Sequence, residues 1–300
     1  MNVNFEYYKT FYYVAKYCNF TKAAKVLGNS QPNITRAMNC LEQQLQRTLL
    51  IRTNRGVQLT HEGEKLFVHV SAAISHLLAA EEELADNTEL LHGSVAIGAS
   101  ETALNIFLLD KLKVFHMNYP GVRLKIYNHS TPQAIEAVKS GRIDFAVVST
   151  PADIEAPLKK VMLQSFRDIL VGGKTFASLG NQELSLAELT EYPLICLGKE
   201  TMTFQFYNRL FLSQGVEFIP DTETATTDQI LPLVKCDLGL AFVPEQMASE
   251  AILKHEIVQV MLKERIPDRN ICMVYDCQHP LNSAAIQLKR IIADKNIRLS

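Results

Sequence analysis

The chain has 300 residues and a formal net charge of −2, and 47% of its residues are hydrophobic. This length is enough for two or three domains, and the composition excludes a disordered or fibrous protein. No apolar run approaches the ~18 residues that a membrane helix needs, and the first residues lack the basic-then-apolar pattern of a signal peptide. We therefore expect a cytoplasmic protein with no membrane partner.

The charge is unevenly distributed along the chain. Residues 1–60 contain eight Lys or Arg residues against two acidic residues, whereas residues 61–92 contain one basic residue against seven acidic ones. A basic segment in an otherwise nearly neutral chain is the electrostatic pattern of a nucleic-acid-binding module. The first sixty residues are therefore predicted to contact nucleic acid.

This basic segment predicts three short helices. Apolar residues recur at helical spacing from Phe5 to Ala15, a second helix is predicted over 22–27, and Pro32 stands in the first turn of a third. The intervening Gly28-Asn29-Ser30 favours a tight turn, because Gly and Asn tolerate a positive φ. Two short helices joined by such a turn predict a helix-turn-helix.

A hairpin and a long helix follow. Residues 49–60 contain two short extended pieces around Asn54-Arg55-Gly56, a turn signal that predicts a wing. From 61 to about 90 the chain has no proline and carries an apolar stripe, which predicts a linker helix that joins subunits. Packing of this helix on the C-terminal domain of its own chain is the alternative. The predicted divisions are 1–60 for DNA binding, 61–92 for the linker helix and hinge, and 93–300 for the remaining domain.

Residues 93–300 alternate strand-like and helical segments, which predicts parallel sheets with crossover helices. About 200 residues suit two α/β lobes better than one sheet. Lobe I is predicted at about 93–165 and 266–300, and lobe II at about 166–265. The predicted strands are 94–98, 122–127, 143–149, 167–172, 193–197, 238–243 and 271–275.

Hydroxyl side chains stand where these strands meet helices. Ligands of open α/β sheets bind outside the carboxyl ends of strands, and helix N-termini there suit an anion. Each hydroxyl could equally be a helix cap. The candidate ligand-binding residues are Ser100, Thr102, Ser130, Thr131, Thr150, Thr201, Thr203 and Thr226.

The segment 19–63 resembles the N-terminal signature of LysR-type transcriptional regulators. The matching residues are Phe20, Thr21, Ala23, Ala24, Leu27, Ser30, Gln31, Pro32, Thr35, Arg36, Leu41, Glu42, Leu45, Leu49, Arg52, Arg55, Leu59, Thr60 and Gly63. The segments 119–122, 140–144 and 237–244 also resemble the family. Gln46 departs from it, because the family usually has Gly at that position.

The resemblance implies a winged helix-turn-helix, a linker helix and a two-lobed, periplasmic-binding-protein-like effector domain. It also implies a homodimer or homotetramer that binds an inverted repeat of double-stranded DNA and a small polar or anionic effector. Gln and Asn pair with adenine and Arg with guanine when a recognition helix enters the major groove. The predicted DNA-binding residues are Ser30, Gln31, Pro32, Asn33, Thr35, Arg36, Arg52 and Arg55.

No catalytic, metal or cofactor site is predicted. The histidines form no HExxH motif, and the six cysteines form neither a CxxC pair nor zinc-ligand spacing. The cysteines are expected to be small buried residues, with a redox-sensing pair of Cys272 and Cys277 as the alternative. For the whole chain, the alternatives are a solute-binding protein and an α/β enzyme that carries an accessory DNA-binding domain.

Overall fold

The computed structural model describes residues 3–53, 56–84, 93–279 and 281–294. It begins with α1 (Phe5–Tyr17), α2 (Phe20–Val26) and α3 (Gln31–Leu45). The N-cap residues of these helices are Asn4, Asn19 and Ser30, and the side chain of each accepts a backbone N–H of the first turn. Because Asn19 caps α2, this helix begins two residues earlier than the predicted 22–27. The predicted helix-turn-helix is confirmed.

The wing is an antiparallel hairpin of β1 (Leu50–Thr53) and β2 (Gly56–Leu59), in which Leu50 lies opposite Leu59. Glu42 on α3 anchors it, since Glu42 Oε1 accepts the backbone N–H groups of Leu49 at 2.7 Å and Leu50 at 3.0 Å. The Glu42 carboxylate thus ties α3 to the start of the wing. Two residues of the predicted turn, Asn54 and Arg55, lie outside the described residues, and the third, Gly56, begins β2.

The long helix α4 (His61–Leu84) packs on α1. The side chains of Phe67, Val70 and Ile74 are buried in the core of the N-terminal domain, and the Phe67 ring stacks on Tyr12 with 5.9 Å between centroids. Part of the predicted apolar stripe of α4 is therefore buried by contacts within the same chain and is not free to join subunits. Leu77 and Leu78 stay 48% and 42% exposed.

The remaining chain forms two α/β lobes. Lobe I begins with β3 (Gly93–Ala99), α5 (Glu101–Ala103), a π-helical turn (Leu104–Leu108), α6 (Leu109–Asn118), β4 (Val122–Asn128), α7 (Thr131–Lys139), β5 (Phe145–Ser149) and β6 (Leu158–Phe166). Lobe II contains β7 (Asp168–Gly172), β8 (Glu183–Leu184), β9 (Leu194–Leu197), α8 (Met202–Ser213), β10 (Thr222–Thr224), α9 (Ile230–Lys235), β11 (Leu240–Pro244), α10 (Glu245–Leu253) and β12 (Val258–Leu262). The chain then returns to lobe I with β13 (Arg269–Asp276) and α11 (Ser283–Ala293).

Both sheets contain the predicted parallel strand pairs, and each also contains antiparallel strands. The strand order is β4-β3-β5-β13-β6 in lobe I and β10-β9-β11-β7-β12-β8 in lobe II. β13 runs antiparallel to β5, and β7 runs antiparallel to β11. The chain crosses between lobes at the edge where the parallel strands end. A strand that enters a lobe there must run in the opposite direction.

Gln46, the C-cap residue of α3, has a strained backbone conformation. Gln46 has φ 52°, in the left-handed region that favours Gly. We expect Gln46→Gly to raise the free energy of unfolding by about 0.5–1 kcal/mol, because it relieves a left-handed side chain. Urea unfolding followed by circular dichroism measures the change.

The matched control is Gln43→Gly, which lies three residues earlier within α3. It should lower stability by about 1 kcal/mol, the ordinary cost of Gly in a helix. Gln46 Nε2 also donates to the Gln43 carbonyl at 2.7 Å. A loss of stability in Gln46→Gly would show that this bond outweighs the strain.

Candidate functional site

The exposed start of α3 forms the first candidate site. The side chains of Gln31, Pro32, Thr35, Arg36 and Asn39 border one shallow surface depression, which we call the reading face. It contains four of the predicted DNA-binding residues. Asn39 was not predicted, although its helical spacing of three residues from Arg36 places it on the same side of α3.

Neighbouring side chains are arranged by local hydrogen bonds. Ser30 Oγ accepts the Asn33 backbone N–H at 3.4 Å, and Asn33 Nδ2 donates to Asn29 Oδ1 at 2.9 Å. Thr21 Oγ1 of α2 donates to Gln31 Oε1 at 3.2 Å. Ser30 is thus a helix cap in this structure, and Gln31 is an exposed side chain whose amide oxygen is held by Thr21.

Arg52 links the wing to the reading face. Its Nη2 donates to Asn39 Oδ1 at 3.0 Å, and its guanidinium lies over the Phe20 ring at 4.9 Å from the centroid. Arg36 and Arg52 are both exposed. The guanidinium groups of Arg36 on α3 and Arg52 on β1, together with the amides of the reading face, offer the donors that base edges and phosphates accept.

The predicted ligand-binding hydroxyls include three helix caps. Ser100 Oγ accepts the Ala103 N–H at 3.3 Å, and Ser130 forms a capping box with Gln133 at the start of α7. Thr201 Oγ1 accepts the Phe204 N–H at 3.1 Å and donates to the Gly198 carbonyl at 2.8 Å. The Thr201 hydroxyl therefore caps the N-terminus of α8 and uses its single donor within the same loop.

The two lobes contact each other on the sides where the carboxyl ends of their parallel strands lie. These ends are Ala99, Asn128 and Ser149 in lobe I, and Leu197, Thr224 and Pro244 in lobe II. α5 contacts the 3-10 turn Thr227–Gln229, and the π-helical turn contacts α10. Buried Thr102 and half-buried Thr226 belong to the segments that follow these ends. We call the region between these two sets of strand ends the effector cleft.

Arg269, the first residue of β13, binds lobe I at the base of the cleft. Its Nε donates to the Thr150 carbonyl at 2.9 Å, and its Nη2 lies 3.3 Å from Ser149 Oγ. Thr131 Oγ1 donates to the Ser149 carbonyl at 3.2 Å. Thr150 Oγ1 accepts the Asn270 N–H at 2.9 Å. The structure thus brings the predicted residues Thr131 and Thr150 together at Arg269.

The same guanidinium binds lobe II. Arg269 Nη1 lies 3.0 Å from Asp168 Oδ2, and Nη2 donates to Thr203 Oγ1 at 3.0 Å. The Tyr207 hydroxyl donates to Asp168 Oδ2 at 2.6 Å. We call Arg269, Asp168, Ser149, Thr203 and Tyr207 the interlobe cluster.

Burial dominates the electrostatics of this cluster. The side chains of Arg269 and Asp168 are 3% and 0% exposed. Burial and then the Asp168 carboxylate raise the pKa of Tyr207 well above its ordinary value. Burial opposes the charge of Arg269, but Asp168 and Tyr207 raise its pKa above the ordinary value. Arg269 therefore stays charged and Tyr207 stays neutral near neutral pH.

Apart from Thr203, sequence reasoning missed the interlobe cluster. A signal was present, because Asp168 and Arg269 are charged residues at the starts of two apolar strands. An isolated charge in such a position requires a partner when it is buried. The sequence alone did not show that the two charges meet.

The alternative cysteine pair finds little support in the structure. Cys272 is buried in β13, where burial raises the pKa of its thiol to about 11, while Cys277 is exposed. A thiol with so high a pKa forms little of the thiolate that reacts. Within the described residues, no group of three His, Cys, Asp or Glu side chains could hold a metal ion. No helix of the same ranges is long and apolar enough to cross a bilayer.

A winged helix-turn-helix joined by a long helix to a two-lobed α/β domain defines a ligand-responsive, DNA-binding transcription factor. Residues 5–64 match the family model for the bacterial regulatory helix-turn-helix protein of the lysR family. Residues 88–296 match the model for the LysR substrate binding domain. The chain belongs to the LysR family of transcriptional regulators.

Known proteins resemble the chain over nearly its whole length. The HTH-type transcriptional regulator YofA of Bacillus velezensis is 27% identical over 280 residues, covering 93% of this chain and 94% of YofA. Full-length OxyR from Pseudomonas aeruginosa, solved as a single-residue variant, has a TM-score of 0.78 at 17% identity, covering 98% of this chain and 94% of OxyR. Full-length CbnR complexed with its target DNA has a TM-score of 0.63 at 19% identity, covering 96% of this chain and 98% of CbnR. The predicted class of protein is confirmed. The relatives named here are transcriptional regulators, not solute-binding proteins or enzymes.

Proposed function

We propose that this protein is a cytoplasmic, homo-oligomeric regulator without enzymatic activity, which binds an inverted repeat in DNA and responds to a small polar or anionic metabolite. The observation that carries the proposal is the reading face, which is exposed on the domain that α4 joins to the effector cleft. The proposal assigns DNA contact to the N-terminal domain and ligand contact to the effector cleft of the same chain. CbnR, which has the same fold, was solved with its target DNA.

We propose domain limits of 1–60, 61–92 and 93–300, with lobe II spanning about 166–265 and lobe I the remainder of the last domain. α4 begins at His61 and β3 begins at Gly93, which supports the first two divisions. The strands β6 and β7 lie on either side of Arg167, and β12 and β13 are separated by 263–268. These connections support the division between lobes.

The proposed subunit contact involves α4. Leu77 and Leu78 are exposed apolar side chains on the part of α4 beyond the residues buried against α1. An apolar helix surface of this kind is typical of a subunit interface. The effector cleft would then transmit ligand binding to paired DNA-binding domains, because a ligand that prefers one arrangement of the lobes shifts the population toward it.

Arg36→Ala tests the proposed role of the reading face. We expect it to weaken binding to the specific site by about 1–3 kcal/mol and to relax base preference at one position, because a bidentate contact with guanine is lost. Gel-shift titration against the DNA upstream of the gene, with single-base variants of the bound site, measures both quantities.

The matched control is Arg47→Ala. Arg47 is an exposed arginine of the same domain, but it lies beyond the C-terminal end of α3 and its Nη1 donates to the Gln46 carbonyl at 3.0 Å. It should leave the base preference unchanged. If Arg36→Ala also keeps the full base preference, Arg36 is at most a phosphate contact, and if the wild type does not bind the DNA the proposed function fails.

A further inference from the structure

The interlobe cluster contains one oxygen atom with an unused bonding capacity. Asp168 Oδ2 accepts both Arg269 and Tyr207, whereas Asp168 Oδ1 is buried with no hydrogen-bond partner among the described residues. A buried carboxylate oxygen is costly unless a donor reaches it. The Asp168 side chain is 0% exposed, and Asp168 is the first residue of β7, at the lobe II edge of the effector cleft, where it pairs with Pro244 at the end of β11.

The guanidinium in the same cluster is not available to a ligand anion. Arg269 donates to Asp168, Thr203, Ser149 and the Thr150 carbonyl. Four of its five N–H groups are used in this way, so an anion that binds Arg269 competes with the Asp168 carboxylate. The cluster therefore offers a ligand an acceptor rather than a cation.

The charges along the edges of the effector cleft favour a positively charged ligand group. Glu101 follows β3, Glu200 follows β9 and Asp228 follows β10, whereas Lys199 is the basic residue in these three segments. The Arg167–Glu245 and Arg269–Asp168 ion pairs add no net charge to the cleft. The excess of acidic groups attracts a positive charge to the cleft.

We propose that the effector carries a protonated primary amine, which donates to Asp168 Oδ1 at the base of the effector cleft. This inference rests on the proposed function and narrows its ligand to an ammonium compound. Where the compound also has a carboxylate, as in an amino acid, that group lies toward the helix N-termini of α7 and α8. The ligand thus completes the hydrogen bonding of a carboxylate that the closed lobes bury.

The test compares the binding of small acids that share a carbon skeleton and differ only in whether they carry an ammonium group, a hydroxyl group or neither. Common α-amino acids are compared by thermal shift with the hydroxy acid and the unsubstituted acid of the same skeleton, for example aspartate, malate and succinate, or alanine, lactate and propionate. The full-length protein is used without DNA, and isothermal titration calorimetry gives the Kd of each compound that shifts it. We expect stabilisation by at least one ammonium compound, which binds about tenfold or more tightly than its hydroxy counterpart.

Asp168→Asn then identifies the acceptor. Arg269 and Tyr207 would hold the amide oxygen, so an N–H₂ donor would replace Asp168 Oδ1 and repel the ammonium. Affinity for the amine should fall by about tenfold or more. The control is Asp221→Asn, which changes a carboxylate at the other end of β9, where Asp221 Oδ2 accepts the Leu194 N–H at 2.8 Å. It should bind the amine as the wild type does.

Three results would overturn the proposal. These are equal binding of the hydroxy or unsubstituted acid, wild-type affinity for the amine in Asp168→Asn, and a panel in which no ammonium compound shifts the protein. The wild-type panel decides even if Asp168→Asn does not fold. Gel-shift binding to the upstream DNA is measured separately, so a failure of the proposed function is distinguishable from a failure of the amine assignment.

Discussion

Replacing Arg269 with methionine should lower the free energy of unfolding by about 3–5 kcal/mol, the cost of leaving one member of a buried ion pair without its partner. Asp168 would keep the Tyr207 hydroxyl as its donor, but its charge would be buried with no cation beside it. Arg269 also bonds to both lobes, so the loss affects their contact as well as each lobe separately.

Urea unfolding followed by far-ultraviolet circular dichroism measures this loss. Arg167→Met is the matched control, because Arg167 forms a bidentate pair with Glu245 at 2.6 Å and 2.7 Å but is 62% exposed. Exposed pairs contribute little, so the control should unfold almost as the wild type does. The double change Arg269→Met with Asp168→Leu should recover much of the loss, since no unpaired charge remains buried. Wild-type stability in Arg269→Met would contradict the assignment of the pair as the structural link between lobes.

Affinity for the specific DNA site should fall about a thousandfold between roughly 50 and 200 mM salt. The basis is the proposed contact of Arg36, Arg52 and Arg55 in each of two subunits, six positive charges that release counterions on binding. Such a number gives a slope of about −5 for the logarithm of affinity against the logarithm of salt concentration. Arg36 and Arg52 are both exposed, and both lie next to Asn39, since Arg36 borders the same depression and Arg52 donates to Asn39 Oδ1.

Fluorescence anisotropy of a labelled DNA site over a salt series measures the slope. Arg52→Ala should make the slope shallower by about 2 for the dimer, one unit for each lost charge. Lys254→Ala removes a cation from the lobe II surface, where Lys254 pairs with Glu250, and should leave the slope unchanged. A slope near zero in the wild type would contradict the proposed basic interface.

Local sequence signals predicted the DNA-binding domain well, for a physical reason. Caps such as Asn19 and Ser30 satisfy the first backbone N–H groups of their own helices, and a turn needs residues that tolerate its dihedral angles. Both effects act within a few residues. The helices, the wing strands and the exposed side of α3 could therefore be read from the order of residues.

Strands that lack such a signal were missed. β6 (Leu158–Phe166) is an edge strand with charged and amide side chains among its apolar residues, and β10 (Thr222–Thr224) has three residues. β12 is held by pairing with β7 and β8. These segments become strands because neighbouring strands of the sheet supply their hydrogen bonds. Those strands are distant in the chain, so a short stretch of sequence does not reveal the pairing.

The sequence by itself determined the class of protein, the alternation of strands and helices, and the hydroxyl residues that follow strand ends. Only the tertiary structure decided that Arg269 meets Asp168, two residues separated by 101 positions in the chain. It also decided that Phe67, Val70 and Ile74 of α4 are buried against the DNA-binding domain, while Leu77 and Leu78 stay exposed. Pairing of buried charges and burial of one side of a helix depend on which surfaces the folded chain brings together, and local propensity does not contain that information.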